Sequence, residues 1–320
     1  MRLWPLITDH APLNHVTPKR DAVRMSLTGM LGNKNGRLRA WWDQELPGIS
    51  AHTSAGIWRG ALAAPPTSSA KPHAGMVGTA FDYRLRWLWP AGPANDLIGV
   101  AFANVEFGEE RAATLAKEVD AFTQQLAGPA SMTDPAMDEA LTRLSLVLAR
   151  LETVFRCGMP IDPTAGVRAD ATLEAMMAAQ PTVLIDDIRS ITAASRATIE
   201  PLMSQPAILN PVFTRSGLVG GADGDLVVNG CLLDVKTTTM TSLPTNDLRQ
   251  IVSYALLDDI DEHKISRVGL LYARRPQLLT WDLDDLLTQS GANTRAELST
   301  SLIGALSVNP IAAQQPTRRR

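Results

Sequence analysis

The dipeptide Asn229-Gly230 separates two short runs of apolar residues. Asn-Gly in this setting is the strongest local signal for a β-hairpin with a two-residue type I′ turn. A turn of this kind sets the register of the two strands, because a slip of one residue would exchange their faces. The predicted cross-strand pairs are Val228 with Cys231, Val227 with Leu232, and Leu226 with Leu233.

The same register, extended outward, brings acidic side chains together. Asp225 is expected opposite Asp234, and Asp223 opposite Lys236, with all four side chains on one face. Like charges in directly opposed positions destabilise a sheet unless something compensates them, and a divalent cation such as Mg²⁺ takes carboxylate oxygens as ligands. Lys236 would then stand where a positive charge polarises a water or steadies a phosphoryl oxygen.

The alternative for this hairpin is a solvated face that carries mixed charges. Its flanking residues argue against that alternative, because they are apolar on one face and partly apolar on the other. A strand that is buried on both faces is a poor place for unpaired carboxylates without a function. Asp223 and Asp225 compete for the role of first ligand, and the register favours Asp225.

Composition limits the class of protein. A chain of 320 residues, 45% hydrophobic, can form one large domain or two smaller ones. Its net charge of −3 carries no overall basic signature, so any contact with nucleic acid must come from a local patch. The two cysteines, Cys157 and Cys231, are expected to be reduced core residues, and they are too few for a four-cysteine cluster. No long apolar stretch or secretory signature occurs, which predicts a cytoplasmic protein with no membrane segment.

Residues 1–75 are rich in proline and glycine and contain a local basic cluster followed by Trp41 and Trp42. These residues could track a phosphate backbone and stack bases, or they could form a solvated face beside a pair of core tryptophans. Both interpretations stay open at this point. The basic residues are Lys19, Arg20, Arg24, Lys34, Arg37 and Arg39.

Hydrophobic periodicity predicts helices on both sides of the hairpin. Before it, helices are expected at 78–89, 109–126, 135–156, 169–179 and 185–203, the third of them capped by Asp134. After it, a helix capped by Thr245 or Asn246 is expected to run to about Asp259, with Gln250 and Tyr254 on one face. Strands at 268–273 and 278–283 and a helix at 284–289 complete the prediction.

Four spaced motifs match a known family. They are GTAFD from Gly78, GGADGD from Gly220, LLDVKT from Leu232 and QIVSY from Gln250. In this order the chain resembles the PD-(D/E)XK nuclease superfamily, in its RecB-like branch. The resemblance implies an α/β fold with a restriction-endonuclease-like core, whose mixed central β-sheet is flanked by helices. It implies a nuclease-like domain over residues 76–306 with a helical insertion at about 95–205. Residues 1–75 would be a basic, irregular segment and residues 307–320 a flexible basic tail.

The resemblance also implies roles for single residues. Asp225 and Asp234 would ligate catalytic Mg²⁺ or Mn²⁺, and Lys236 would assist the attacking water. Gln250 and Tyr254 would position the site or contact the DNA strand. Asp82 would lie near the metal, at a position where many relatives have a histidine, and Asp223 remains the rival of Asp225 as a metal ligand.

The activity implied is that of a metal-dependent DNA nuclease, an exonuclease or an endonuclease acting on single- or double-stranded DNA. DNA repair, recombination and phage defence are the expected settings, with protein partners from a multi-gene defence or repair system. One alternative is a DNA-binding or assembly subunit that keeps the nuclease fold without turnover. Another is a helical scaffold in which residues 95–205 carry the function and the hairpin only packs.

Overall fold

The computed structural model describes residues 26–53, 62–89, 97–157, 163–219, 224–291 and 294–307. Their helices come in two groups that flank the strands in sequence. The helices before the strands are α1 (Leu27–Gly32), α2 (Arg37–Glu45), α3 (Ala74–Arg86), α4 (Ile98–Phe107), α5 (Glu109–Leu126), α6 (Pro135–Cys157), α7 (Leu173–Ala178) and α8 (Thr182–Met203). Those among or after the strands are α9 (Thr245–Leu257), α10 (Leu283–Gln289) and α11 (Arg295–Ser307).

The strands form one mixed sheet of five. They are β1 (Ala207–Leu209), β2 (Leu226–Val228), β3 (Cys231–Lys236), β4 (Arg267–Tyr272) and β5 (Gln277–Asp282), in the spatial order β1-β2-β3-β4-β5. Among the described strands only the β3–β4 pair is parallel, and α9 provides the crossover that a parallel pair requires. The prediction of an α/β protein with a mixed sheet is therefore confirmed.

The hairpin between β2 and β3 has the predicted register. Leu226 pairs with Leu233, and the two pairs nearer the turn follow in step. Asn229 and Gly230 have φ angles of 46° and 73°, as both central residues of a type I′ turn require. The Asn229-Gly230 turn therefore sets the register of β2 and β3.

Both faces of the hairpin are buried, as predicted. Leu226 and Leu233 belong to a core shared with α3, α6 and α8, whereas Val227 and Leu232 belong to a second core shared with α9. Cys231 is a buried free thiol, and burial raises its pKa to about 11. The side chain of Cys157 lies outside the described residues.

The N-terminal segment differs from the expectation. Residues 26–53 are not irregular, because α1, α2 and a 3-10 segment at Pro47–Thr53 pack onto the core beside α9. Trp41 and Trp42 are buried in that core, so neither ring is available to stack on a base. Of the basic cluster, Lys19, Arg20 and Arg24 lie outside the described residues.

The helical region from α5 to α8 is largely as predicted. Helix α5 has the predicted bounds, and the Asp134 carboxylate accepts hydrogen bonds from the first backbone N–H groups of α6. The predicted helix over 169–179 is shorter, and α1, α2, α4, α11 and the short strand β1 were not predicted. Within the described ranges, no helix has the length and apolar character needed to span a membrane.

The predicted cap of α9 is wrong. Pro244 occupies the N-cap position and makes no side-chain cap bond. The Thr245 hydroxyl instead lies 2.7 Å from the hydroxyl of Thr53, and the Asn246 amide donates to the Leu31 carbonyl. Tertiary hydrogen bonds with the N-terminal helices have replaced the local cap. The predicted tail, beyond Ser307, lies outside the described residues.

Candidate active site

The predicted residues of β3 lie on the sheet face that is covered by α9. Side chains alternate along a strand, so Asp234 and Lys236 share the face of Leu232, which packs in the core beside α9. Asp234 is only 5% exposed, and its Oδ2 lies 2.7 Å from the Lys236 Nζ. A buried carboxylate is thus paired with a partly buried ammonium at the end of a central strand.

A chain of hydrogen bonds leads from Lys236 onto α9. The Lys236 ammonium donates to Gln250 Oε1 at 3.0 Å, and Gln250 Nε2 donates to the Tyr254 hydroxyl at 2.9 Å. An ammonium only donates, so the amide oxygen of Gln250 must face it and the amide nitrogen must face the tyrosine. Tyr254 is itself fixed by stacking on Phe213, with ring centroids 5.4 Å apart. The arrangement therefore holds Lys236 in one orientation.

Asp225 lies immediately before β2 rather than within the ladder. Its backbone carbonyl accepts a hydrogen bond from Asn210 N–H at 3.0 Å, while its carboxylate accepts a short one from Val235 N–H. The predicted backbone pair with Asp234 is therefore replaced by a side-chain contact with the adjacent residue of β3. The carboxylate of Asp225 still comes to the Asp234 end of that strand.

Electrostatics show that three of the predicted carboxylates lie near one another. The pKa of Asp225 is well above its usual range because of burial first, and then because of repulsion from Asp82 and from Asp234. The hydrogen bond from Val235 and the charge of Lys236 act in the opposite sense but do not cancel these effects. The net effect of burial and of the neighbouring carboxylates therefore disfavours the charged form of Asp225.

Asp82 reaches this group from α3. A Cβ added to Gly78, one turn earlier on the same face, would lie 3.2 Å from Thr237 Oγ1, so α3 passes close to the end of β3. The Asp82 carboxylate forms an ion pair with Arg86. Burial by itself lowers the pKa of Arg86, but Asp82 and other negative groups, Asp225 among them, outweigh it and raise the pKa.

Lys236 remains a cation in this environment. Burial alone lowers its pKa, but the carboxylates of Asp234 and Asp247 more than offset that effect and the net shift is upward. A protonated lysine cannot accept a proton from water, so its available role is to donate hydrogen bonds and to stabilise negative charge.

Sequence reasoning missed three residues of the site: Arg86, Asp247 and Tyr272. Asp247 accepts a hydrogen bond from the Tyr272 hydroxyl at 2.8 Å and contributes to the field at Lys236. Its spacing of three residues from Gln250 on α9 was the available signal, as was the spacing of four between Asp82 and Arg86. Tyr272 had no such signal, because its place beside Lys236 depends on the parallel pairing of β3 with β4.

The chemistry of the three carboxylates suits a hard divalent cation, because such a cation takes oxygen ligands. Among the described residues, however, no three acidic, histidine or cysteine side chains are grouped closely enough to hold a metal. Arg86 and Lys236 engage two of the acids, so ligation by Asp82 requires its pair with Arg86 to separate. Asp223, the other candidate ligand, lies outside the described residues.

Comparison of the chain with known protein families, with characterised proteins and with solved structures finds no match.

Proposed function

We propose that this protein is a metal-dependent DNA nuclease that hydrolyses phosphodiester bonds. The observation that carries the proposal is the arrangement at the end of β3, where Asp234 Oδ2 lies 2.7 Å from Lys236 Nζ and the Asp225 carboxylate accepts a hydrogen bond from Val235 N–H. Burial, and then repulsion from Asp82 and Asp234, raises the pKa of Asp225, and a bound cation would relieve that repulsion. The restriction-endonuclease-like core and the RecB-like resemblance belong to the same proposal.

Asp82, Asp225 and Asp234 are the residues that would hold Mg²⁺ or Mn²⁺. A divalent cation held there would supply orientation of a water molecule and stabilisation of charge on the phosphate. Lys236 would donate to a phosphoryl oxygen or to the attacking water, because its raised pKa keeps it protonated. Gln250 and Tyr254 would act as positioning residues that hold the ammonium in place.

The test is a cleavage assay with Mg²⁺ or Mn²⁺ on linear, nicked, single-stranded and circular DNA. The control variant is Asp234→Asn, which keeps the size of the side chain and removes its charge. We expect the wild type to cut at least one topology and the variant to cut none. Absence of cleavage on all four topologies contradicts the proposal, as does equal cleavage by the variant.

The pairing of Arg86 and Lys236 with two of the acids is the observation that favours the alternative, a DNA-binding or assembly subunit without turnover. In that case the side chains of Arg86 and Lys236 neutralise the carboxylates of Asp82 and Asp234 permanently, and no metal ion binds to these carboxylates. Binding of DNA without cleavage, together with equal retention of Mn²⁺ by wild type and Asp234→Asn, would support it.

A further inference from the structure

A pocket of about 340 Å³ lies between α2, the segment Pro47–Thr53 and the first turn of α9. Its charged lining consists of Arg39, Asp43 and Arg249, and the helix end contributes Thr245 and Asn246. The formal charge of the lining is therefore +1, from two guanidinium groups and one carboxylate. The face of α9 that carries Asn246 and Arg249 differs from the face that carries Gln250 and Tyr254, so this pocket is distinct from the candidate active site.

Arg249 is the unusual member of this lining. It is only 4% exposed, and its Nε has no hydrogen-bond partner among the residues that the structure describes. Its terminal nitrogens donate weakly, to Asn246 Oδ1 at 3.3 Å and to Asp43 Oδ1 at 3.2 Å. A buried guanidinium with an unmade hydrogen bond costs free energy, and it marks a place where a ligand can supply the missing acceptor.

A second arginine faces the same space. Arg39 Nε donates to both carboxylate oxygens of Asp43, at 2.9 and 3.1 Å, so Asp43 bridges Arg39 and Arg249. The side chain of Asp43 is 53% exposed and that of Arg39 is 32% exposed. The bridging carboxylate is thus on the solvent side, where it can swing away from the two guanidinium groups.

The amino end of α9 adds further donors to the pocket lining. Pro244 gives this helix no side-chain cap, and the first backbone N–H groups of a helix carry a partial positive charge. A carboxylate offers two acceptor oxygens, whereas a phosphate group offers more, so a phosphate can accept from both arginines and from the helix end together.

We propose that this pocket binds a phosphate group, held between Arg39 and Arg249 at the amino end of α9. The phosphate competes with Asp43 for the two guanidinium groups. The phosphate site does not depend on nuclease activity, whereas its assignment to a DNA strand rests on the proposed function. In that setting the site holds one backbone or terminal phosphate of the bound strand.

The first experiment is calorimetric titration of the full-length protein with inorganic phosphate, in the presence of a chelator. We expect saturable binding by the wild type, and a loss of about tenfold or more in affinity for Arg39→Gln, which removes a charged hydrogen-bond donor. Asp43→Asn should bind more tightly than the wild type, because the competing charge is gone. Arg168→Gln removes an exposed arginine that is paired with Asp170, and it should bind as the wild type does.

Arg39→Gln is expected to weaken phosphate binding and Asp43→Asn to strengthen it. Because a general effect on folding would weaken binding in both variants, the opposite changes identify a binding site. Circular dichroism of each variant verifies the fold. The proposal is overturned if the wild type shows no saturable binding, if Arg39→Gln and Arg168→Gln weaken binding equally, or if Asp43→Asn binds no more tightly than the wild type.

The second experiment identifies the source of the phosphate. A single-stranded oligonucleotide with a 5′-phosphate and its 5′-hydroxyl counterpart are titrated with chelator present, against wild type and Arg39→Gln. Preference for the phosphorylated strand assigns a terminal phosphate, whereas equal and Arg39-dependent binding of both assigns a backbone phosphate. If inorganic phosphate binds but neither oligonucleotide does, the pocket is assigned to a free phosphate anion.

The two proposals fail separately. Asp234→Asn should abolish cleavage and leave phosphate binding intact, because Asp234 is not part of the pocket. Arg39-dependent phosphate binding in a protein that cuts no DNA would retain the pocket and refute the nuclease. DNA cleavage by a protein that shows no Arg39-dependent phosphate binding would retain the nuclease proposal and refute the phosphate site.

Discussion

Replacement of Asp225 by asparagine should stabilise the metal-free protein. The carboxylate of Asp225 is partly buried and repelled by Asp82 and Asp234, and an asparagine keeps the acceptor for Val235 N–H while it removes the charge. Its amide nitrogen can donate to the neighbouring carboxylates. Relief of an unfavourable charge interaction commonly stabilises a protein by about 0.5–2 kcal/mol, and we expect a gain of about 1–2 kcal/mol here. That corresponds to an increase of about 2–3 °C in melting temperature for a chain of this length.

The pH dependence has a definite sign. Because the pKa of Asp225 is raised in the folded state, the folded protein retains this proton at pH values where the unfolded chain has released it. Wild-type stability should therefore fall as the pH rises from the ordinary aspartate value, about 3.9, through the raised pKa. The advantage of Asp225→Asn should be absent at the acidic end of that window and complete above it.

Divalent cations should make the wild type more stable than Asp225→Asn, the reverse of the order expected without metal. A cation that binds only the folded state adds about 2.7 kcal/mol at a hundred times its dissociation constant, and the wild type should gain far more than the variant. The assay is thermal unfolding across pH, with and without Mn²⁺. Asp170→Asn serves as the control, since Arg168 lowers the pKa of that exposed acid and its removal should not stabilise the protein. Destabilisation by Asp225→Asn without metal, or equal stabilisation of both proteins by Mn²⁺, would refute this reasoning.

Three further predictions concern the strand, the helix and the packing around the site. Lys236→Gln should lower the cleavage rate about a hundredfold, whereas Lys264→Gln, on an exposed ion pair, should leave the rate unchanged; single-turnover kinetics measure both. Gln250→Ala should lower kcat about tenfold with little change in KM, because it releases the lysine from its fixed orientation without removing it, and a parallel fall in both constants would argue for a different role. Gly224→Ala should cost about 1–3 kcal/mol in urea denaturation, since its Cβ would meet side-chain atoms at 2.9 and 3.1 Å, while Gly217→Ala meets nothing within 4 Å and should be close to neutral.

The candidate site was predictable from sequence to the extent that it is local. Asp234 and Lys236 share a face because strands alternate, and Gln250 and Tyr254 share one because helices turn every 3.6 residues. The family resemblance implied only that Gln250 and Tyr254 position the site or contact the DNA strand. The structure adds hydrogen bonds from Lys236 to Gln250 and from Gln250 to Tyr254. The position of Asp225 was right only in outline, because a side-chain bond to Val235 N–H takes the place of the expected strand pair.

The N-terminal helices show why composition misled. Proline and glycine frequency suggested an irregular segment, but burial of Trp41 and Trp42 against the core beside α9 stabilises α1 and α2. Short helices are marginal in isolation and depend on tertiary packing, which composition does not record. The same packing brings Arg39 next to Arg249, more than two hundred residues later in the chain, and so creates the pocket for which we propose a phosphate ligand.

By itself, the sequence determined the type I′ turn at Asn229-Gly230, the strand register that follows from it, and the long amphipathic helices, because each depends on the conformational preferences of neighbouring residues. Only the tertiary structure decided which distant charges meet. The approach of α3 to β3 at Gly78 brings Asp82 within the field of Asp225, and the packing of α2 on α9 places two arginines around one pocket. Charges separated widely in sequence interact through space, and their separation is set by the packing of whole elements rather than by any local pattern.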